Sequence, residues 1–390
     1  MVQAATTETT GFTTPVFLGF DHIHLYVGNC LQAAVFYATR FGFRVIGYRG
    51  LETGSRRLCS YVLQQGRIVF VVSSAMNPDD AELSSFLSKH GDGVKDVAFE
   101  VEDARAAFTY AVGRGVQPVQ PPVELTDENG TVTVATVSAG YGDLEHTFID
   151  RRGWRGAHFL PGFAPPPLDM AAESTLVQEV FPECLLSQVD HCVSNQPEHA
   201  MEPVVNWYTE KLGFHRFWSV DDRQIHTEYS SLRSVVVTDA HERIKMPVNE
   251  PAPGKRKSQI QEYIDYFGGP GIQHIALYTP DILRSVTALR ERGVAFIQVP
   301  PAYYTLLRER LHKECIQLKE DLDTIQRLEI LVDIDEDGGY LLQTFTKPVS
   351  HRPTLFYEII QRHRNTGFGV GNFKALFEAI ERDQAKRGNL

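Results

Sequence analysis

The sequence predicts an α+β fold: two tandem domains of duplicated β-α-β-β-β units, forming open, strongly curved sheets or barrels with helices outside. Three observations predict it. The chain repeats itself. Its apolar residues alternate over short runs, and helical runs that stop at glycines separate them. A Pro-rich stretch divides it near the middle. At 390 residues the chain is long enough for a duplicated pair of domains.

The elements follow in order. Phe20-Asp21-His22-Ile23-His24-Leu25-Tyr26-Val27 reads as a strand, and Val189-Asp190-His191-Cys192-Val193 repeats its start. The helical pattern from Ala33 to Phe41 stops at Gly42, and its copy from Val204 to Leu212 stops at Gly213, a residue suited to a helix C-terminus. β runs follow at Arg44 to Tyr48 and at His215 to Val220. Ser60 to Gln64 and Ser234 to Thr238 alternate as half-buried strands do. Lys95-Asp96-Val97-Ala98-Phe99 matches Gln273-His274-Ile275-Ala276-Leu277, and helices from Ala104 to Gly115 and from Ile282 to Gly293 follow. The second copy adds a charged helical segment, Tyr304 to Gln326. It also adds a C-terminal helix, Asn372 to Arg387, with Phe373, Leu376, Phe377 and Ile380 on one face. Leu160 to Pro167 is stiff and Pro-rich. The expected division is therefore a first domain at 15–155, a linker at 156–183 and a second domain at 184–390.

Bulk properties narrow the function. A net charge of −11 argues against nucleic acid or an acidic membrane surface as partner, because both select a basic face. Lys255-Arg256-Lys257 is read as a solvated loop. The five cysteines show no CxxC spacing, so neither a disulfide framework nor a cysteine zinc site is expected. Cys192, next to His191 on a strand, should face the core. No apolar run reaches the ~18 residues of a membrane helix, and the N-terminus lacks a signal or transit pattern, so the cytosol is the expected location.

Three segments carry the chemistry. In Val189-Asp190-His191, in Gly271 to Leu277 and in Leu355-Phe356-Tyr357-Glu358, one metal-competent side chain interrupts an apolar strand. His191, His274 and Glu358 lie 83 and 84 residues apart, as residues from separate strands of one duplicated sheet would. Two histidines and one carboxylate can form a facial triad on iron(II) that leaves positions open. The bland alternative is three buried polar residues satisfied by hydrogen bonds. Glu358 weighs against it, because an unpaired carboxylate in so apolar a strand is costly. In the first half His22 matches His191, but Asp96 stands where His274 does and nothing plainly replaces Glu358. That half is therefore expected to lack metal, with His22 and His24 structural or at the surface. His146, His226 and His351 have no partners at ligand spacing.

These residues carry a resemblance. The chain is similar to the 4-hydroxyphenylpyruvate dioxygenase family, of the vicinal oxygen chelate superfamily. The likeness spans almost its whole length and is strongest in Asn249-Glu250-Pro251-Ala252-Pro253-Gly254-Lys255, Leu341 to Pro348, Arg352-Pro353-Thr354-Leu355-Phe356 and Gly367-Phe368-Gly369-Val370-Gly371-Asn372-Phe373. The resemblance implies Fe(II) as cofactor, held by His191, His274 and Glu358. It implies Gln259, Gln273, Gln343, Asn249 and Ser234 as polar catalytic and substrate contacts. It implies Pro247, Phe345, Phe356, Phe368, Asn372 and Phe373 as the pocket, with the C-terminal helix as its cover. It further implies conversion of 4-hydroxyphenylpyruvate and O2 to homogentisate and CO2, and a homodimer formed through the first domain. The sister reaction, to 4-hydroxymandelate, is the closest rival, and Pro247, Asn249 and Phe345 resemble the ring-hydroxylating type. The complete triad argues against a non-catalytic binding module on the same fold.

Overall fold

The repeat resolves strand for strand. The computed structural model describes residues 13–156, 158–220 and 231–389, and within them sixteen strands form two eight-stranded sheets. The first half supplies β1 (Phe17–Tyr26), β2 (Arg44–Arg49), β3 (Leu58–Gln65), β4 (Ile68–Ala75), β5 (Gly93–Val101), β6 (Pro118–Asp127), β7 (Gly130–Ser138) and β8 (Glu145–Asp150). The second supplies β9 (Gln188–Asn195), β10 (His215–Val220), β11 (Ser231–Thr238), β12 (Lys245–Ala252), β13 (Gly271–Tyr278), β14 (Leu331–Ile334), β15 (Tyr340–Phe345) and β16 (Phe356–His363). The orders are β2-β3-β4-β1-β5-β8-β7-β6 and β10-β11-β12-β9-β13-β16-β15-β14, one path repeated eight strands later. In each half two β-α-β-β-β units meet at an antiparallel seam, β1 against β5 and β9 against β13. Each sheet curls into a half-barrel flanked by helices, which is the expected fold class.

The first copy's helices are α1 (Cys30–Phe41), α2 (Ala81–His90), α3 (Ala104–Gly113) and α4 (Leu168–Val180); the second adds α5 (Met201–Lys211), α6 (Gln259–Phe267), α7 (Ile282–Glu291), α8 (Pro301–Lys313), α9 (Leu322–Arg327) and α10 (Val370–Arg387). The Asn29 side chain caps the start of α1, and Gly42 ends it in the left-handed region at φ 73°. One expectation needs correcting. The charged segment from Tyr304 to Gln326 is two helices, not one. Cys315 turns left-handed at φ 55°, and Asp321 starts α9 by accepting from the Thr324 amide. Part of the stretch read as a linker is also helical, since α4 lies within it.

One hydrophobic core runs through both halves, and the duplication repeats at their contact. Tyr357 on β16 donates to Tyr37 of α1 at 2.8 Å, while His146 on β8 meets Tyr208 of α5 at 2.8 Å. His146 thus occupies the first-half counterpart of Tyr357. Fully buried and also bonded to the Val97 carbonyl, it is a structural residue. Cys192 is buried in this core, as expected.

The two half-barrels differ in what fills them. In the first, Trp154, Phe159 and Leu160 pack with Val62, Val71 and Ala98 on the face that carries His22. In the second, the chain after β16 runs into α10, and Phe368 and Leu376 cover a cavity on the equivalent face.

Candidate metal centre

The register of the second sheet assembles three side chains. Ala276 on β13 is the cross-strand partner of His191 on β9 and of Glu358 on β16. His274, two residues earlier, faces the same side. The small Ala276 side chain leaves room between them. The ligand atoms of the three residues all lie within 4.8 Å of one another. Glu358 Oε2 is 3.3 Å from His191 Nε2 and 3.4 Å from His274 Nε2. All three residues are buried, and Glu358 Oε1 has no hydrogen-bond partner among the described residues. Such an orphaned oxygen is costly in a dry site, and a cation satisfies it. Two histidines, one carboxylate and this spacing suit a divalent metal ion with positions left open.

Neighbours preset the ligands. His191 Nδ1 donates to Asp190 at 2.7 Å, and His274 Nδ1 donates to Gln273 Oε1 at 2.9 Å. With both Nδ1 atoms so engaged, both Nε2 lone pairs face the centre. Burial pulls the His191 imidazole down, but the Glu358 and Asp190 carboxylates outweigh it and leave the pKa above its ordinary value. Burial dominates at His274, whose pKa lies below the ordinary value. Burial pushes Glu358 up, yet the two imidazoles hold it below the usual carboxylate range.

The first half lacks this centre. His22 matches His191, Asp96 matches His274, and the strand register puts Thr147 at the Glu358 position. Thr147 donates to Asp96 through both its amide and its hydroxyl. His22 is buried against Asp21 and Phe159, and His24 bonds Ser73 at 2.7 Å, so both are structural. His351 is exposed, and His226 lies outside the described residues.

The other expected residues divide between two cavities of about 40 Å³ each. Around the triad stand Ser234, Pro247, Asn249, Phe345 and Phe368. Gln259, Gln273, Phe345 and Phe356 line the second, so Phe345 is the wall between them. Phe356 also stacks on His274 at 4.8 Å. Gln343 and Asn372 line neither. Gln343 is buried against Gly369, and Asn372 Oδ1 accepts from Tyr303 at 2.8 Å. Each leaves its amide nitrogen buried without a partner among the described residues. The Phe373 side chain lies outside the described residues. Sequence reasoning missed Val193, Trp218, Leu232, Val236 and Leu376, which complete the wall around the triad. Leu232, Ser234 and Val236 alternate along β11, a period that points there. It also missed Arg362, which pairs with Asp190 at 2.7 and 2.8 Å.

Comparison with known proteins decides the family. Residues 17–159 match the family described as "Hydroxyphenylpyruvate dioxygenase, HPPD, N-terminal". Residues 188–322 match the "Glyoxalase/Bleomycin resistance protein/Dioxygenase superfamily". A 4-hydroxyphenylpyruvate dioxygenase from Dictyostelium discoideum is 52% identical over 95% of this chain and 100% of its own length. One from Danio rerio is 54% identical over 96% and 92%. The chain belongs to the 4-hydroxyphenylpyruvate dioxygenase family. Among solved structures, a triple mutant of 4-hydroxymandelate synthase from Streptomyces coelicolor superposes with a TM-score of 0.80 at 30% identity, covering 95% of this chain and 100% of that one. As a 4-hydroxyphenylpyruvate dioxygenase family member the chain is an enzyme, and the vicinal oxygen chelate fold is the one observed. No described helix is long and apolar enough to cross a membrane.

Proposed function

We propose that this chain is an Fe(II)-dependent dioxygenase converting 4-hydroxyphenylpyruvate and O2 to homogentisate and CO2. The observation that carries the reading is the convergence of two imidazole Nε2 atoms and the Glu358 carboxylate on one buried centre, with the second Glu358 oxygen left without a partner among the described residues. The reaction balances without a second organic substrate, since one oxygen atom enters the new carboxylate and the other the ring. Fe(II) held by His191, His274 and Glu358 would supply a site for the 2-oxo acid and the redox chemistry of O2.

The chain's own residues bind, orient and exclude water. Ser234 and Asn249 stand beside the triad and offer hydrogen bonds without added charge. Gln259 and Gln273 line the neighbouring cavity across Phe345, placed to meet the far, phenolic end of a substrate spanning both. Gln343 and Asn372 present unpartnered amide nitrogens where β15 meets the start of α10. Pro247, Phe345, Phe356 and Phe368 form the apolar wall that keeps bulk water from the reacting ring. Cavities this small hold only a few waters, so admitting a substrate requires Phe345 and α10 to give way.

On the same reading, the 15–155 region is a metal-free structural domain that also pairs two copies into a homodimer, and 156–183 joins it to the catalytic 184–390 region. The enzyme works in the cytosol, in tyrosine catabolism. An oxygen electrode and a CO2 assay on the Fe(II)-loaded protein test this. One O2 consumed and one CO2 released per 4-hydroxyphenylpyruvate, with no 2-oxoglutarate added, is the expected result. Oxygen uptake that depends on added 2-oxoglutarate would overturn it.

A further inference from the structure

A four-residue unit occurs twice in this fold, and only one copy serves a metal. In the second half, Arg362 grips Asp190 through Nε and Nη2 at 2.8 and 2.7 Å. Asp190 accepts from His191 Nδ1 at 2.7 Å. Phe368 stands edge-on to the His191 ring at 5.2 Å, and the Arg362 guanidinium lies 5.7 Å from the Phe368 ring centre. In the first half, Arg151 grips Asp21 through the same two nitrogens at 2.6 and 2.9 Å. Asp21 bonds His22 Nδ1 at 2.7 Å, Phe159 stands edge-on to His22 at 4.9 Å, and Arg151 lies 5.1 Å from the Phe159 ring centre. Even the third contact repeats. Arg151 Nη1 donates to the Phe159 carbonyl, and Arg362 Nη1 donates to the Gly367 carbonyl, each at 2.6 Å.

Thus the histidine's support persists where its two co-ligands have become Asp96 and Thr147. The unit holds an imidazole in one tautomer and one rotamer whether or not a metal is bound. A planar, bidentate guanidinium fixes the carboxylate plane, and the carboxylate fixes the ring. In the second half the same guanidinium also holds Gly367, next to Phe368 and two residues before Gly369, where α10 begins. A single side chain therefore ties the orientation of a metal ligand to the segment that carries the cover.

We propose that Asp190 and Arg362 are positioning residues for the metal centre, acting through His191 and setting divalent-metal affinity, and that Asp21 and Arg151 are their counterpart without that role. This rests on the metal reading of His191, His274 and Glu358. The first half supplies the control. Its unit has the same contacts and a similar structural weight, so a purely structural role predicts equal effects in the two halves.

The test is anaerobic titration of the metal-free, full-length protein with Fe(II), followed by calorimetry, beside thermal unfolding of the same metal-free samples. Asp190→Asn and Arg362→Lys should weaken Fe(II) binding ~10–100-fold, the range common for partners of a ligating histidine. Asp21→Asn and Arg151→Lys should bind as wild type within about twofold while losing comparable thermal stability. Arg362→Lys keeps the charge and most of the volume, so a folded sample is available if Asp190→Asn proves unstable. Unchanged affinity in both second-half variants would overturn the proposal alone. So would an equal loss in the first-half variants. A wild type that binds no Fe(II) would instead overturn the metal reading beneath it.

Discussion

Both ends of α10 are glycines in the left-handed region, and they make a matched experiment. Gly369 starts the helix and Gly388 ends it, each at φ 74°. A Cβ there costs about 1–2 kcal/mol of backbone strain at either position. Their surroundings differ. At Gly388 the new methyl group meets nothing within 4 Å. At Gly369 it would overlap Gln343 Nε2 and stand 2.7 Å from the Cδ and Oε1 of the same amide. Gln343 is 1% exposed on β15, so its amide cannot swing into solvent. It must retreat by about 1 Å, or the start of α10 must shift. In the proposed role of Gln343 as a substrate contact, a displacement of that size costs ~100-fold in rate. Gly388→Ala should therefore lose only the stability that backbone strain costs, and Gly369→Ala should lose more in thermal unfolding because it adds the overlap with Gln343. In an oxygen-uptake assay only Gly369→Ala should lose kcat/KM, by about two orders of magnitude. Wild-type kcat/KM in Gly369→Ala, or an equal loss in Gly388→Ala, would refute the place given to Gln343 and the start of α10.

Three further outcomes are expected. Glu358→Gln removes the anionic ligand and should abolish turnover and weaken Fe(II) binding; full activity would sink the triad. Elemental analysis should find one metal ion per chain in both the wild type and His22→Ala, and a second equivalent lost with His22 would contradict a metal-free first half. Acid should destabilise the fold through His146, whose pKa burial lowers from 6.5 to about 4. The unfolded chain takes up this proton near pH 6.5 and the folded one only near pH 4, so stability falls as pH drops through that window, by up to roughly 3 kcal/mol. Urea titrations of His146→Gln across the window should show a shallower fall than wild type, and parallel curves would count against it.

Much of this was legible in the sequence because duplication and polarity patterns are local signals. Each of His191, His274 and Glu358 interrupts an apolar strand, and the sheet register that unites them follows from repeated β-α-β-β-β units. The glycines at 42 and 213 marked real helix ends. What escaped depends on long-range pairing. Arg362 and Asp190 are 172 residues apart, and neither breaks a pattern. The structural place of His146 was hidden because Tyr208, which it bonds, comes from the other half. The break at Cys315 rests on one left-handed residue that is not glycine, which composition does not announce. The division of the pocket by Phe345 reflects side-chain packing under α10, which strand periodicity does not encode.

Ring attack at a triad-held metal leaves its mark in the product. The measurement that tests it most directly is NMR identification of the product formed aerobically from 4-hydroxyphenylpyruvate by the Fe(II)-loaded protein. NMR is needed because homogentisate and 4-hydroxymandelate are isomers of equal mass. Homogentisate is the expected product, with the side chain moved to the neighbouring ring carbon. 4-Hydroxymandelate would contradict it: the fold and triad would stand, but the roles given to Pro247, Asn249 and Phe345 would fall.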